Sequence, residues 1–109
     1  MKVLKDDVPS VETVRAAVRT VCREYPVARM ELFGSLAQEQ PGPGSDVDLL
    51  VEFTPGAGVG LFEMGQLKED LEQQLGCSVD LVSRPAVENS RNRYRRETIL
   101  AAPVTIYVR

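Results

Sequence analysis

Three aspartates in a chain of 109 residues have the type and spacing for phosphoryl chemistry. Asp46 and Asp48 open the apolar run "DVDLLVEF", and Asp80 interrupts the apolar segment "CSVDLV". Side chains alternate across an extended chain, so Asp46 and Asp48 share one side. Like charges this close repel, and a divalent cation between them removes the repulsion. Hard carboxylate oxygens suit Mg²⁺, whose shell is completed by water and substrate phosphate. A buried, unpaired Asp80 is costly, so something must compensate it. If its strand lies beside the first acidic strand, three carboxylates converge and can build a two-cation site for in-line phosphoryl or nucleotidyl transfer. The plainer alternatives are that the pair closes a turn after Pro43-Gly44-Ser45 and that Asp80 forms a salt bridge with Arg84.

The complementary half is Gly34-Ser35, ten residues before Asp46. A glycine where a strand turns into a helix lets backbone approach a phosphate closely, and a serine hydroxyl can donate to its oxygens. The chain has no histidine, which removes histidine general bases and most zinc sites. A net charge of −3 supplies no field that draws the chain to nucleic acid. The apolar runs fall well short of the roughly 20 residues of a membrane helix, and the N-terminus lacks a signal-peptide core. Cys22 and Cys77 read as buried thiols, and the expected location is the cytoplasm.

The elements that must position these groups follow from periodicity. Pro9-Ser10 starts a helix with an apolar stripe of Val11, Val14, Val18, Val21 and Tyr25. "VARMELFG" reads as a strand with Ala28, Met30 and Leu32 on one face. "QEQPGPGS" is a loop, and "DVDLLVEF" a strand buried on both sides at Leu49-Leu50-Val51. "TPGAGVG" is a connecting loop that could flank the site. A helix from about Leu61 to Leu75 carries Met64, Leu67, Leu71 and Leu75, and Gly76 closes it. "CSVDLVS" is a third strand. A loop from Arg84 leads into a helix near Arg93 to Leu100, and "VTIYV" is a last strand. The arginines of "SRNRYRRE" read as a solvated helix face with Tyr94 packed inward, the alternative being contact with the nucleotide or with a partner's acidic face. The sum is a single α/β (α+β) domain over residues 1–109, with a small mixed sheet flanked by helices.

Gly-Ser, ten residues and D-x-D, followed by the strand acid in "VDLV", resemble the DNA-polymerase-β-type nucleotidyltransferase superfamily. The short length and "GLFEMGQLKEDLEQQLGCSVDLV" resemble its minimal nucleotidyltransferase (MNT) family. The likeness runs from about Pro9 to the C-terminus and is strongest from Phe33 to Val82. It implies a polymerase-β-like nucleotidyltransferase fold, with Gly34 and Ser35 as triphosphate contacts. It also implies that Asp46, Asp48 and Asp80 are Mg²⁺ ligands at two cation sites, that ATP is the substrate, and that Asp80 activates the attacking hydroxyl. Many such proteins are antitoxins of a type VII-like pair, encoded beside a HEPN-domain RNase toxin and transferring AMP from ATP to a toxin tyrosine. The resemblance implies that role and that partner here. A binding-only antitoxin and an antibiotic-type, small-molecule nucleotidyltransferase are the alternatives. The chain departs from the family's usual pattern at Gln38, where an arginine is common, and at Glu39, where a glycine is.

Overall fold

The computed structural model describes residues 9–37 and 47–109, with Ser35 described by its backbone alone. Asp46, Gln38, Glu39, the loop expected over "QEQPGPGS" and the Ser35 side chain lie outside the described residues.

Helix α1 (Val11–Cys22) is followed by β1 (Val27–Phe33), the short α2 (Gly34–Ala37), β2 (Val47–Phe53), α3 (Leu61–Leu75) and β3 (Val79–Ser83). Then come α4 (Arg84–Glu88), α5 (Arg93–Leu100) and β4 (Val104–Val108). The strands form one sheet in the order β3-β2-β1-β4. β1 runs antiparallel to both β2 and β4, while β2 and β3 are parallel, which makes the sheet mixed as expected. Parallel neighbours need a crossover, and the 15-residue α3 supplies it.

The ends of the helices are set by local chemistry. The Ser10 hydroxyl accepts from the Thr13 amide at 3.1 Å and caps α1. Gly76, at φ 73°, takes the left-handed conformation past α3, and its amide reaches the Glu72 carbonyl at 2.7 Å.

The two faces of the sheet bury different sets. One packs Met30, Leu32, Leu49, Val51 and Val79 against Val14 and Val18 of α1 and Leu67 and Leu71 of α3. The other packs Leu50 against Val87 of α4 and Ile99 of α5, with Phe33 and Val82 alongside. Leu49-Leu50-Val51 is thus buried on both sides, as its unbroken apolar run predicts.

Several details differ from the sequence reading. A register shift lies between Val27 and Arg29, so Ala28 is an extra residue in β1. It places Val27, rather than Ala28, in the core with Met30 and Leu32. Helix α1 ends at Cys22, and residues 23–26 form a turn, though Tyr25 still packs against the core. The loop expected after Arg84 begins with a helical turn, α4: the Ser83 hydroxyl accepts from the Ala86 amide, and Pro85 sits at the helix start. Tyr94 does not pack inward; it is 80% exposed. On α5 the buried position is Ile99, and its neighbours along the helix face are Arg95 and Arg96, whereas Tyr94, five residues away, points off that stripe. Cys22 is buried, but Cys77 is only half-buried.

Candidate active site

Strand register assembles the site. Phe33 of β1 stands opposite Asp48 of β2, and Asp48 stands opposite Asp80 of β3. Residues opposite one another on paired strands project to the same face, so Phe33, Asp48 and Asp80 form a row across the sheet. Glu31 and Leu50, themselves cross-strand partners, lie one step along on that face, as does Val82. The row therefore sits at one end of the small core under α4 and α5. Asp48 is half-buried; Asp80, on the edge strand, is exposed.

That exposure corrects the expectation of a buried Asp80 in need of a compensating partner. The expected alternative partner is also otherwise engaged. Arg84 forms an ion pair with Glu31, and its Nε lies 3.0 Å from Glu88 Oε2. The pair anchors the junction of β3 and α4 to β1, four residues beyond Asp80.

Gly34 begins α2 directly after β1, at φ 78°. A β-carbon added there would collide with the Asp48 carboxylate, lying 3.1 Å from its Cγ and 3.3 Å from its Cβ. Both the left-handed backbone and the closeness of Asp48 demand glycine. The Gly-Ser turn and the second acid of D-x-D are thus in van der Waals contact, although fourteen residues separate them in the chain.

Between this row and α5 lies an open cleft of about 260 Å³, lined by Phe33, Asp80, Tyr94, Arg95, Thr98 and Ile99. Periodicity did not mark Phe33 as a neighbour of the acids, and it offered the arginine stretch of α5 as a nucleotide contact only as the alternative to a solvated face. The position of Phe33, one residue before Gly34 in an alternating strand, was the available signal. A second cleft, about 470 Å³, lies between α1 and α3 and includes Tyr25 and Asp70. There the Tyr25 hydroxyl donates to Asp70 at 2.5 Å, and burial, with help from that bond, pushes its pKa up to about 12. These helices cover the sheet face opposite the acidic row. Burial likewise pushes the Cys22 thiol up to about 12, which makes it inert as a nucleophile. The "TPGAGVG" loop leaves β2 at Phe53, the end away from Asp48, so it does not flank the row.

The donor set fits a hard divalent cation. Two carboxylates stand on directly opposed residues at an open end of the sheet, where water and phosphate can complete a shell. Among the described residues no group of three or more potential ligands is gathered, the third candidate, Asp46, lying outside them.

A four-stranded mixed sheet with a Gly-Ser turn seated on an acidic strand pair defines a small nucleotidyltransferase-type domain. The family model "Nucleotidyltransferase domain" matches residues 14–102, and the chain belongs to that family. The Methanocaldococcus jannaschii protein named "Putative protein adenylyltransferase MJ0435" is 32% identical over 74 residues, which are 68% of this chain and 77% of the relative. The solved structure described as "Structure of putative minimal nucleotidyltransferase" superposes with a TM-score of 0.64 at 34% identity, over 88% of this chain and 95% of the other. A complex of a tri-AMPylated Shewanella oneidensis HEPN toxin with an MNT antitoxin matches with a TM-score of 0.63 at 15% identity, over 91% of this chain and 73% of the other. That last likeness shows the shared fold. Among the described residues no helix is long and apolar enough to cross a membrane.

Proposed function

We propose that this chain is a Mg²⁺-dependent protein adenylyltransferase. It moves AMP from ATP to a hydroxyl of a partner protein, a tyrosine of a HEPN-domain toxin, and so acts as an antitoxin. The observation that carries the reading is the row of Asp48 and Asp80 in register, with Gly34 packed against the Asp48 carboxylate. The partner is supported by the likeness to an MNT antitoxin bound to an AMPylated HEPN toxin.

Asp46, Asp48 and Asp80 would hold the metal. When bound, it neutralises charge on the phosphates and on the attacking and leaving oxygens. The chain's own groups do the rest. Gly34, lacking a side chain, and Ser35 receive the triphosphate at the turn. Asp80, exposed on the edge strand and open to an incoming protein, accepts the proton of the attacking hydroxyl. The hydroxyl oxygen bonds to the α-phosphorus, the bond from that phosphorus to the bridging oxygen breaks, and pyrophosphate departs.

The test is intact-mass spectrometry of the cognate HEPN-domain protein after incubation with this chain, ATP and Mg²⁺. Added AMP that is lost with Asp48→Asn supports the reading. A stable complex without added mass would replace it with a binding-only antitoxin. Gln38 and Glu39 favour that second reading, because an acid replaces the usual glycine, and a cation is missing, close in sequence to the Gly-Ser turn. Restoring Gln38→Arg with Glu39→Gly changes the local charge from −1 to +1, and tightens ATP binding by roughly tenfold if both side chains face the nucleotide.

A further inference from the structure

Two groups with complementary chemistry line the cleft under α5: the Asp80 carboxylate and the Tyr94 phenol. Tyr94 is 80% exposed, and its hydroxyl makes no hydrogen bond among the described residues. The backbone beneath it is nevertheless fixed. Asn92 Oδ1 accepts from the Arg95 amide at 3.0 Å, and an Arg96 guanidinium nitrogen donates to the Ser90 carbonyl at 2.6 Å. Ile99 anchors the other end of the helix in the core. The ring is thus tethered beside the acidic row while remaining free to turn about its side-chain bonds.

We propose that Tyr94 is a self-adenylylation site, a reading that rests on the adenylyl transfer argued above. The Tyr94 hydroxyl attacks the α-phosphorus of ATP bound at the Gly34 turn, and its proton passes to Asp80. The Tyr94 Oη–phosphorus bond forms, the phosphorus–bridging oxygen bond breaks, and pyrophosphate leaves. No further reactant is needed.

The other hydroxyls are less suited. Tyr25 is held by Asp70 on the opposite face of the sheet. Tyr107 lies on β4, the edge strand farthest from β3, and is half-buried. Thr98 lines the same cleft, but its side chain is shorter, and an aliphatic alcohol yields its proton less readily than a phenol. Asp80 and Tyr94 line one cleft of one chain, so the transfer is intramolecular.

The experiment incubates the full chain alone with ATP and Mg²⁺, follows intact mass, and maps the label by tandem mass spectrometry. In parallel, the same preparation is given the HEPN-domain partner. The expected result is one AMP per chain on Tyr94, at a first-order rate constant unchanged over a tenfold range of protein concentration. Tyr94→Phe should lose at least about nine-tenths of the self-label and still label the partner. Partner labelling without self-labelling overturns the inference and leaves the adenylyltransferase reading standing. A self-label that persists in Tyr94→Phe, or maps elsewhere, also overturns it. If neither chain is labelled, the adenylyl transfer reading fails and this inference falls with it.

Discussion

The α-carbon of Gly34 packs directly against the carboxylate of Asp48, and the left-handed backbone at Gly34 lets the turn make that approach. Gly34→Ala introduces two costs. A non-glycine residue in that conformation costs about 1–2 kcal/mol, and the new methyl pushes Asp48 aside. Displacement of a reacting group by about 1 Å can lower a rate on the order of 100-fold. The variant should therefore lose about 2 kcal/mol in urea unfolding and most of its transfer activity. Asp48→Ala removes the colliding group, so in that background Gly34→Ala should cost only the backbone strain. An equal cost in both backgrounds would show that the contact is not what makes glycine necessary.

The Glu31–Arg84 pair links the two ends of the site in another way. Glu31 is nearly enclosed, with a side chain 7% exposed, and Arg84 is 21% exposed. Removing one member of a buried pair strands the other, at a cost of about 3–5 kcal/mol where solvent is excluded. Because Arg84 is partly wet and also pairs with Glu88, Glu31→Gln should cost somewhat less, about 2 kcal/mol. Replacing both residues by methionine should recover much of the loss, because neither charge is then left buried. Denaturant titration of the two single variants and the double variant decides this. If the double variant is as unstable as the sum of the singles, the two residues act independently.

Glu72 ties the end of α3 to the start of β3, one residue before Asp80. Its carboxylate accepts from Lys68 Nζ at 2.8 Å and from the Val79 amide at 3.0 Å. Those bonds, the Lys68 one foremost, hold its pKa below the ordinary carboxylate value. A group whose folded pKa is depressed favours its charged form in the native state. Its contribution is therefore present at neutral pH and is lost as pH falls through the folded-state value. Its side chain is 30% exposed, so the contribution is modest, about 0.5–1 kcal/mol. Glu72→Gln should be less stable than the parent near pH ~7, and the gap should shrink toward pH ~3. A non-zero gap of constant size across that range would mean that side-chain shape rather than ionisation sets the difference, and no gap at any pH would mean that the amide replaces the carboxylate equally well.

What the sequence showed and what it hid divide along physical lines. Leu49-Leu50-Val51 announced a strand buried on both faces, and Gly76 announced the end of α3, because each depends on local chemistry. Gly-Ser, ten residues and D-x-D exposed the core of the candidate site because its spacing is local too. The Glu31–Arg84 pair joins residues 53 apart and leaves no periodic trace. The bulge at Ala28 moved one core position, since a single extra residue switches which side chains face inward. Tyr94 misled because an aromatic among arginines looks like the buried member, yet helix phase put Ile99 inward instead. Asp80 was expected to be buried from its apolar neighbours, and the edge position of β3, which no local pattern encodes, left it exposed.

The register of Asp48 and Asp80 gives the most direct test of whether these acids serve the site or the fold. Like charges directly opposed on neighbouring strands destabilise a sheet by about 0.2–1 kcal/mol relative to neutral pairs. Without metal, Asp80→Asn should therefore leave the melting temperature unchanged or raise it slightly, since Asp80 is exposed and forms no ion pair among the described residues. Asp48→Asn is the companion variant for ligand binding and transfer. With Mg²⁺ and a non-hydrolysable ATP analogue the order should reverse. The parent gains stability by mass action from ligands that bind only the folded state, by about 2.7 kcal/mol at a hundredfold excess over the dissociation constant. The variants should gain far less, and adenylyl transfer should fall by roughly 100-fold or more in each, at least the range expected when a general base is removed. Chelation of the metal should return the parent to its ligand-free melting temperature. A large loss of stability in Asp80→Asn without metal would make the carboxylate a structural cap. Ligand-induced stabilisation equal to the parent's would remove Asp80 from the site.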